Sequence, residues 1–176
     1  MTKIANRPLL IPEGVKIAVE EGKIIAHGPQ GKDELFINPE VEIVYQENKI
    51  FTKSNNFILN GTFNSLIYNL IKGVEQGYKE IVEVKGINYK VNLKNEKLEL
   101  ALGKSHLDYV DIPVELKVEV ISNKIIIMGT DKQKVRQFAR NLQTLRRPSI
   151  YKKDKGIYLT SEEKIIQLRS RKNLKK

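Results

Sequence analysis

The chain has 176 residues, 40% of them hydrophobic, and 31 Lys+Arg against 21 Asp+Glu give a formal net charge of +10 and a pI near 9.6. That length suits one large domain or two small ones, the apolar share excludes wholesale disorder, and the basic balance favours a polyanion partner, nucleic acid first and an anionic membrane surface second. The absence of cysteine removes disulfides and Cys-type zinc sites and fits a reducing compartment.

No apolar run approaches the roughly 18 residues of a membrane span. The opening MTKIANRPLLIPEG has no long apolar segment and is too short and too interrupted by proline for a transit helix, so a cytoplasmic protein without a secretory signal is expected.

Residues 11 to 28 read IPEGVKIAVEEGKIIAHG. Val15, Ile17 and Val19 alternate with Lys16, Ala18 and Glu20, the period of a half-buried strand. Glu21-Gly22 supplies a turn, and Lys23 to His27 is the return strand. HGPQGKDEL comes next. Gly28-Pro29-Gln30-Gly31 is a turn by its chemistry, with an RNA-contacting loop as the alternative, and it lacks the GxGxxG spacing of a dinucleotide site. Val41–Gln46 with Asn48–Lys53 forms a second predicted hairpin.

Leu66, Ile67, Leu70, Ile71 and Val74 then mark one face of a helix. Asn60 is its expected N-cap and Gly77 its end. Beyond it, Lys97–Leu102 alternates as a strand, paired with either Ile81–Val84 or Asn88–Asn92. LGKSH, residues 102 to 106, is not a phosphate loop. The motif needs a glycine at position 98, which is Leu98, and a helix after the serine, which Asp108 to Pro113 does not promise.

Residues 112 to 129, IPVELKVEVISNKIIIMG, repeat the first hairpin 101 positions later. Ile11/Ile112, Pro12/Pro113, Lys16/Lys117, Val19/Val120, Lys23/Lys124, Ile24/Ile125, Ile25/Ile126 and Gly28/Gly129 are identical. Ser122-Asn123 is its turn. A second helix comes after it, with Val135, Phe138, Ala139, Leu142 and Leu145 on one face, Thr130 or Asp131 at its start, and Pro148 barring continuation beyond Arg147.

The pattern predicts an α+β fold: two tandem repeats of a small antiparallel sheet with one helix packed on a face, plus a basic C-terminal extension. The first repeat is assigned to residues 1–80 and the second to 81–168, including a basic loop at 146–159. Residues 169–176 form a basic tail expected to order on a polyanion.

The charge gathers at that end. Residues 146 to 176 hold 11 Lys+Arg against 3 Asp+Glu, leaving 20 against 18 for residues 1 to 145. RRPSIYKKDKGIYL, residues 146 to 159, has neither a helical nor a strand period. Its cations suit phosphates, and Tyr151 and Tyr158 can stack on bases or pack back on the sheet. Ser161–Leu168 reads as a short helix with Thr160 and Glu163 at capping-box spacing, or as a strand. The nominated RNA-binding residues are Lys104, Ser105, His106, Arg146, Arg147, Tyr151, Lys152, Lys153, Lys155, Gly156, Arg169, Arg171 and Lys172.

Catalysis finds no support. His27 and His106 are the only histidines, no spaced metal-ligand pair exists, and Ser105-His106 are sequence neighbours without a third group. No cofactor, metal or small-molecule substrate is expected. A weak membrane binder is the remaining alternative to a nucleic-acid module, but the tail has few apolar anchors.

These stretches resemble a known family. RPLLIPEGV, GPQG, GTFNSLIYNLIKGVEQGYKEIVEVKGINYKV, LGKSH, GTDKQKVRQFARNLQTLRRP and YKKDKGI, in this order over Ile4 to Leu168, are similar to the bacterial-type large-subunit ribosomal protein L-six family. The resemblance implies two tandem α+β units and a non-enzymatic role in the large ribosomal subunit. It implies binding to large-subunit rRNA near the sarcin–ricin stem and the base of the acidic stalk, beside neighbouring ribosomal proteins. The family's tail motif falls on Pro148, Tyr151, Lys152, Lys155, Gly156 and Ile157, with Lys153-Asp154 in place of one glycine, which makes this loop one residue longer. The family's second contact loop falls on Gly103, Lys104, Ser105 and His106. A His and an Arg usual before the family's first helix are replaced by Asn60 and Asn64.

Overall fold

Both hairpins read from the repeated stretches are present in the computed structural model, and they share one register. Residues 8–20, 22–46, 49–149 and 155–160 are described. Strands β2 (Lys16–Glu20) and β3 (Lys23–Gly28) pair from Lys16↔His27 to Glu20↔Lys23. Their counterparts β11 (Lys117–Ile121) and β12 (Lys124–Gly129) pair from Lys117↔Met128 to Ile121↔Lys124, each pair 101 positions on. Ile24, Ala26, Ile125 and Ile127, at matching positions, are fully buried. The entry turns match as well. Val15 N–H donates to the Pro12 carbonyl at 3.3 Å, and Leu116 N–H donates to that of Pro113 at 3.0 Å.

The chain divides into two compact units, Met1–Tyr78 with Thr130–Lys132, and Lys79–Gly129 with Gln133–Lys176. The first unit adds β1 (Leu9–Leu10), β4 (Gly31–Phe36), β5 (Val41–Gln46) and β6 (Lys49–Ser54) to its hairpin. They form two three-stranded antiparallel sheets, ordered β2-β3-β4 and β1-β6-β5. Helix α1 (Phe57–Gln76) buries Ile67, Leu70, Ile71 and Val74 among Leu9, Ile11, Val15, Ile24, Ala26 and Ile50. Strand β4 lies where the sequence pattern marks only a turn. Its sequence GKDELF is half charged, and it is held by pairing along the whole of β3.

The start of α1 differs from expectation. Asn56, not Asn60, is the N-cap, and its side chain accepts from Ile58 N–H at 3.1 Å. Asn60 lies one turn inside, 7% exposed, with its side-chain oxygen taken by the Thr52 hydroxyl. An asparagine in extended backbone before four orphan N–H groups caps a helix; one committed to a buried partner does not. Gly77 ends the helix as expected, at φ +74, with its N–H on the Gly73 carbonyl.

The second unit also holds two antiparallel sheets. In one, β9 (Lys97–Ala101) is the central strand, between β8 (Lys90–Lys94) and β10 (Asp108–Asp111). In the other, β7 (Tyr78–Lys85) and β13 (Gly156–Leu159) join the second hairpin in the order β11-β12-β7-β13. The partner of β9 is therefore the Asn88–Asn92 region, while Ile81–Val84 belongs to β7. Strand β10 forms in the stretch from Asp108 that the sequence reading describes only as not starting a helix. Helix α2 (Lys132–Leu145) buries Val135, Phe138, Ala139 and Leu142 and stops three residues before Pro148. Strand β13 pairs with β7, so the irregular basic stretch ends as a buried strand. The segment 161–168, expected as helix or strand, lies outside the described residues, as does the tail.

Candidate nucleic-acid interface

Residues 146–149 and 155–157, on either side of the stretch between α2 and β13, are joined in a closed neck. The N–H of Ile157 donates to the Arg146 carbonyl at 2.9 Å, and the N–H of Ser149 donates to the Lys155 carbonyl at 3.0 Å. Strand β13 then fixes the returning side, with Ile157, Tyr158 and Leu159 all buried and Thr160 N–H on the Ile81 carbonyl at 3.0 Å. Gly156 is the pivot. Its φ is +135, and a Cβ there would stand 2.6 Å from Pro148 Cα and 2.9 Å from the Arg147 carbonyl oxygen. Only glycine fits such backbone and such an approach.

The neck gathers Arg146, Arg147 and Lys155. Arg147 and Lys155 are exposed and Arg146 is half-buried. Gly156 is buried, so what it supplies is backbone shape. Tyr158 is 4% exposed, and Lys85 Nζ stands 5.3 Å from its ring centroid. Of the two roles foreseen for it, packing on the sheet is the one it takes, because β13 turns its ring into the unit. Tyr151, Lys152, Lys153, Arg169, Arg171 and Lys172 lie outside the described residues.

The second nominated loop, Gly103 to Leu107, runs between two fixed ends. Leu102 is fully buried before it. Gly103, at φ +66, lies over the ring of buried Tyr89, where a Cβ would come within 2.9 Å of the ring edge. At the other end Asp108 opens β10 opposite Leu100. Lys104 Nζ reaches back to that carboxylate, 3.0 Å from Oδ1 and 2.9 Å from Oδ2. His106 Nε2 lies 3.5 Å from Oδ1, with its side chain 70% exposed. Ser105 is exposed. One carboxylate thus organises both basic side chains of the loop. Sequence reading missed Asp108, since nothing in a Lys-Ser-His-Leu-Asp string says that the loop folds back on its own aspartate.

The GPQG turn has a structural occupation. Gly28 pairs with Gly31 across Pro29 and Gln30, and Gln30 N–H donates to the Val74 carbonyl at 3.0 Å. That carbonyl stands in the last turn of α1, where no further helical N–H is available. The outer face of the β10-β9-β8 sheet is a ladder of polar pairs. Lys94 lies 3.1 Å and the Tyr109 hydroxyl 3.4 Å from Glu99, and Lys97 lies 2.8 Å from Asp111. Lys94 beside Glu99 holds its carboxyl below the usual range, and Asp111 raises Lys97 above the usual lysine value.

Among the described residues no three His, Cys, Asp or Glu side chains gather as a metal site. No described helix is long and apolar enough to cross a membrane.

The family model for ribosomal protein L6 matches residues 85–157, the second unit up to the neck. A large ribosomal subunit protein uL6 from Aquifex pyrophilus is 38% identical over 184 residues, covering 97% of this chain and 98% of that one. One from Persephonella marina is 37% identical over 182 residues and covers 100% of both chains. One from Thermus thermophilus is 35% identical over 168 residues, 92% of this chain and 93% of its own. With identity at this level running the length of both repeats and through the neck, the chain belongs to the ribosomal protein L6 family.

Proposed function

We propose that the protein is a structural, non-enzymatic component of the large ribosomal subunit in the cytoplasm. It binds large-subunit rRNA near the sarcin–ricin stem and the base of the acidic stalk, next to other ribosomal proteins, and supports the region where translation factors dock. Family membership supports the assembly. The observation that supports the mode of binding is the neck, where two backbone hydrogen bonds, from Ile157 to Arg146 and from Ser149 to Lys155, bring Arg146, Arg147 and Lys155 to a fixed base. Lysine and arginine there neutralise phosphates and displace condensed counterions, so affinity is largely electrostatic and falls steeply with salt. RNA recognition by shape and backbone suits cations on a fixed base.

The test is sucrose-gradient fractionation of cells carrying a tagged copy, probed before and after a salt wash. Stoichiometric, salt-resistant presence in the large subunit is expected. Presence only in precursor particles, or at the top of the gradient, overturns the reading in favour of an assembly factor or a free RNA binder. Replacing Lys152, Lys153 and Lys155 together with alanine is expected to lower rRNA affinity while thermal unfolding of the body stays unchanged.

A further inference from the structure

The Gly103–Leu107 loop carries a lysine and a histidine, and the two differ in what they have left to offer. Lys104 donates to Asp108 Oδ1 at 3.0 Å and lies 2.9 Å from Oδ2, which takes no hydrogen bond of its own; the lysine side chain is 26% exposed and the carboxylate 13%. His106 touches the same carboxylate through one long contact and remains mostly open. We propose that Asp108 is the positioning residue of this loop, holding Lys104 as an internally neutralised strut so that the loop presents Ser105 and His106, and not a lysine, to RNA. The inference rests on the rRNA-binding reading above and assigns the division of labour within one of its contacts.

Asp108 cannot follow an arriving phosphate. Its backbone is the first residue of β10, in register with Leu100 on a central strand. The opposite end of the loop is pinned where Gly103 meets Tyr89. A phosphate competing for Lys104 would have to break a hydrogen-bonded, partly desolvated ion pair and leave the carboxylate facing the phosphate's own charge. The cost is smaller at Ser105 and His106: both side chains are exposed, and His106 would give up only its single 3.5 Å contact with Asp108.

The salt dependence of binding separates this from a structural role, because its slope counts phosphates neutralised, at about 0.7–0.9 per contact. The full chain is titrated onto a transcript of the large-subunit rRNA segment containing the sarcin–ricin stem at several salt concentrations. Lys104→Met is expected to leave the slope unchanged. Asp108→Asn is expected to steepen it by about 0.7–0.9, as Lys104 becomes available for one further phosphate. The double variant Lys104→Met/Asp108→Asn is expected to return to the wild-type slope, which loss of fold in Asp108→Asn would not do. His106→Ala is expected to weaken binding several-fold at every salt concentration.

A shallower slope in Lys104→Met, an unchanged slope in Asp108→Asn, or unchanged affinity in His106→Ala each overturns the inference while the function stands. Absence of salt-dependent binding by the wild-type chain overturns the function itself.

Discussion

The backbone N–H of Ile157 donates to the carbonyl oxygen of Arg146 at 2.9 Å, eleven residues back along the chain. That bond joins the exit of α2 to the start of β13 and makes an aperiodic stretch into a segment with two anchored ends. Its stability depends on the glycine beside it.

Gly156→Ala is expected to open the neck. The substitution puts a Cβ at φ +135 and 2.6 Å from Pro148 Cα. Strain and clash together are expected to cost ~1–3 kcal/mol, and calorimetric melting of the variant checks this. Affinity for rRNA should fall with it, although no cation has been removed.

Gly28→Ala tests the docking of the β3–β4 turn on α1. Its added methyl would meet the Val74 carbonyl oxygen at 2.5 Å, a backbone atom that cannot rotate away. The expected loss is ~1–3 kcal/mol, read by chemical denaturation. Faster amide exchange at Gln30, whose N–H donates to the same carbonyl, should accompany it.

Asn56 and Asn60 should respond differently to alanine. Asn56→Ala removes a cap and is expected to cost about 1 kcal/mol. Asn60→Ala leaves the buried Thr52 hydroxyl without its side-chain acceptor and is expected to cost ~1–3 kcal/mol. Introducing Thr52→Val alongside Asn60→Ala should recover part of that loss, because the hydroxyl left with only its long 3.4 Å contact to the residue 60 carbonyl is then gone. Recovery in the double variant but not from any change at Asn56 marks Asn60 as a buried partner and Asn56 as the cap.

The polar ladder on β8, β9 and β10 gives a pH signature. Glu99 has its folded pKa lowered, chiefly by its hydrogen bond with Lys94. Its contribution is therefore present above the unfolded value, about 4.3, and is lost as pH falls through the lower folded value. Lys97, raised by Asp111, behaves oppositely: its contribution is present below about 10.4 and is lost as pH rises through the folded value. Stability against pH for Glu99→Gln should show a flatter acid limb and an unchanged alkaline limb. Lys97 is exposed and Glu99, though half-buried, pairs with the exposed Lys94, so the differences are expected to be small and reduced by salt.

The parts of the fold legible in the sequence were those that bury one face of a regular element. Ile24 with Ala26 and Ile125 with Ile127 announce two hairpins by period alone, and the 101-residue repeat even carries their register. The faces of α1 and α2 were legible for the same reason. Strands β4 and β10 were not, because an edge strand such as GKDELF or DYVD takes its conformation from the neighbour it pairs with. Strand β13 was hidden by its setting, four buried residues behind a run of lysines. In the candidate interface, composition pointed to the basic stretch, but the neck and the Lys104–Asp108 pair arise from tertiary closure. They assign Tyr158 and Gly156 to support and Lys104 to an internal partner, distinctions that residue type cannot make.

The pairing of β13 with β7 also orders the birth of the protein. The sheets of the first unit draw only on residues 9 to 54, and α1 is finished by Gln76, so their partners are all present early in synthesis. Strand β7 emerges next, but its neighbour β13 is translated some seventy residues later, after α2 and the basic stretch. A chain interrupted before Gly156 leaves one side of β7 without its ladder and the neck unclosed. The neck is thus the latest of the described features to close, a timing that keeps Arg146, Arg147 and Lys155 from being presented in fixed geometry before the body beneath them is complete.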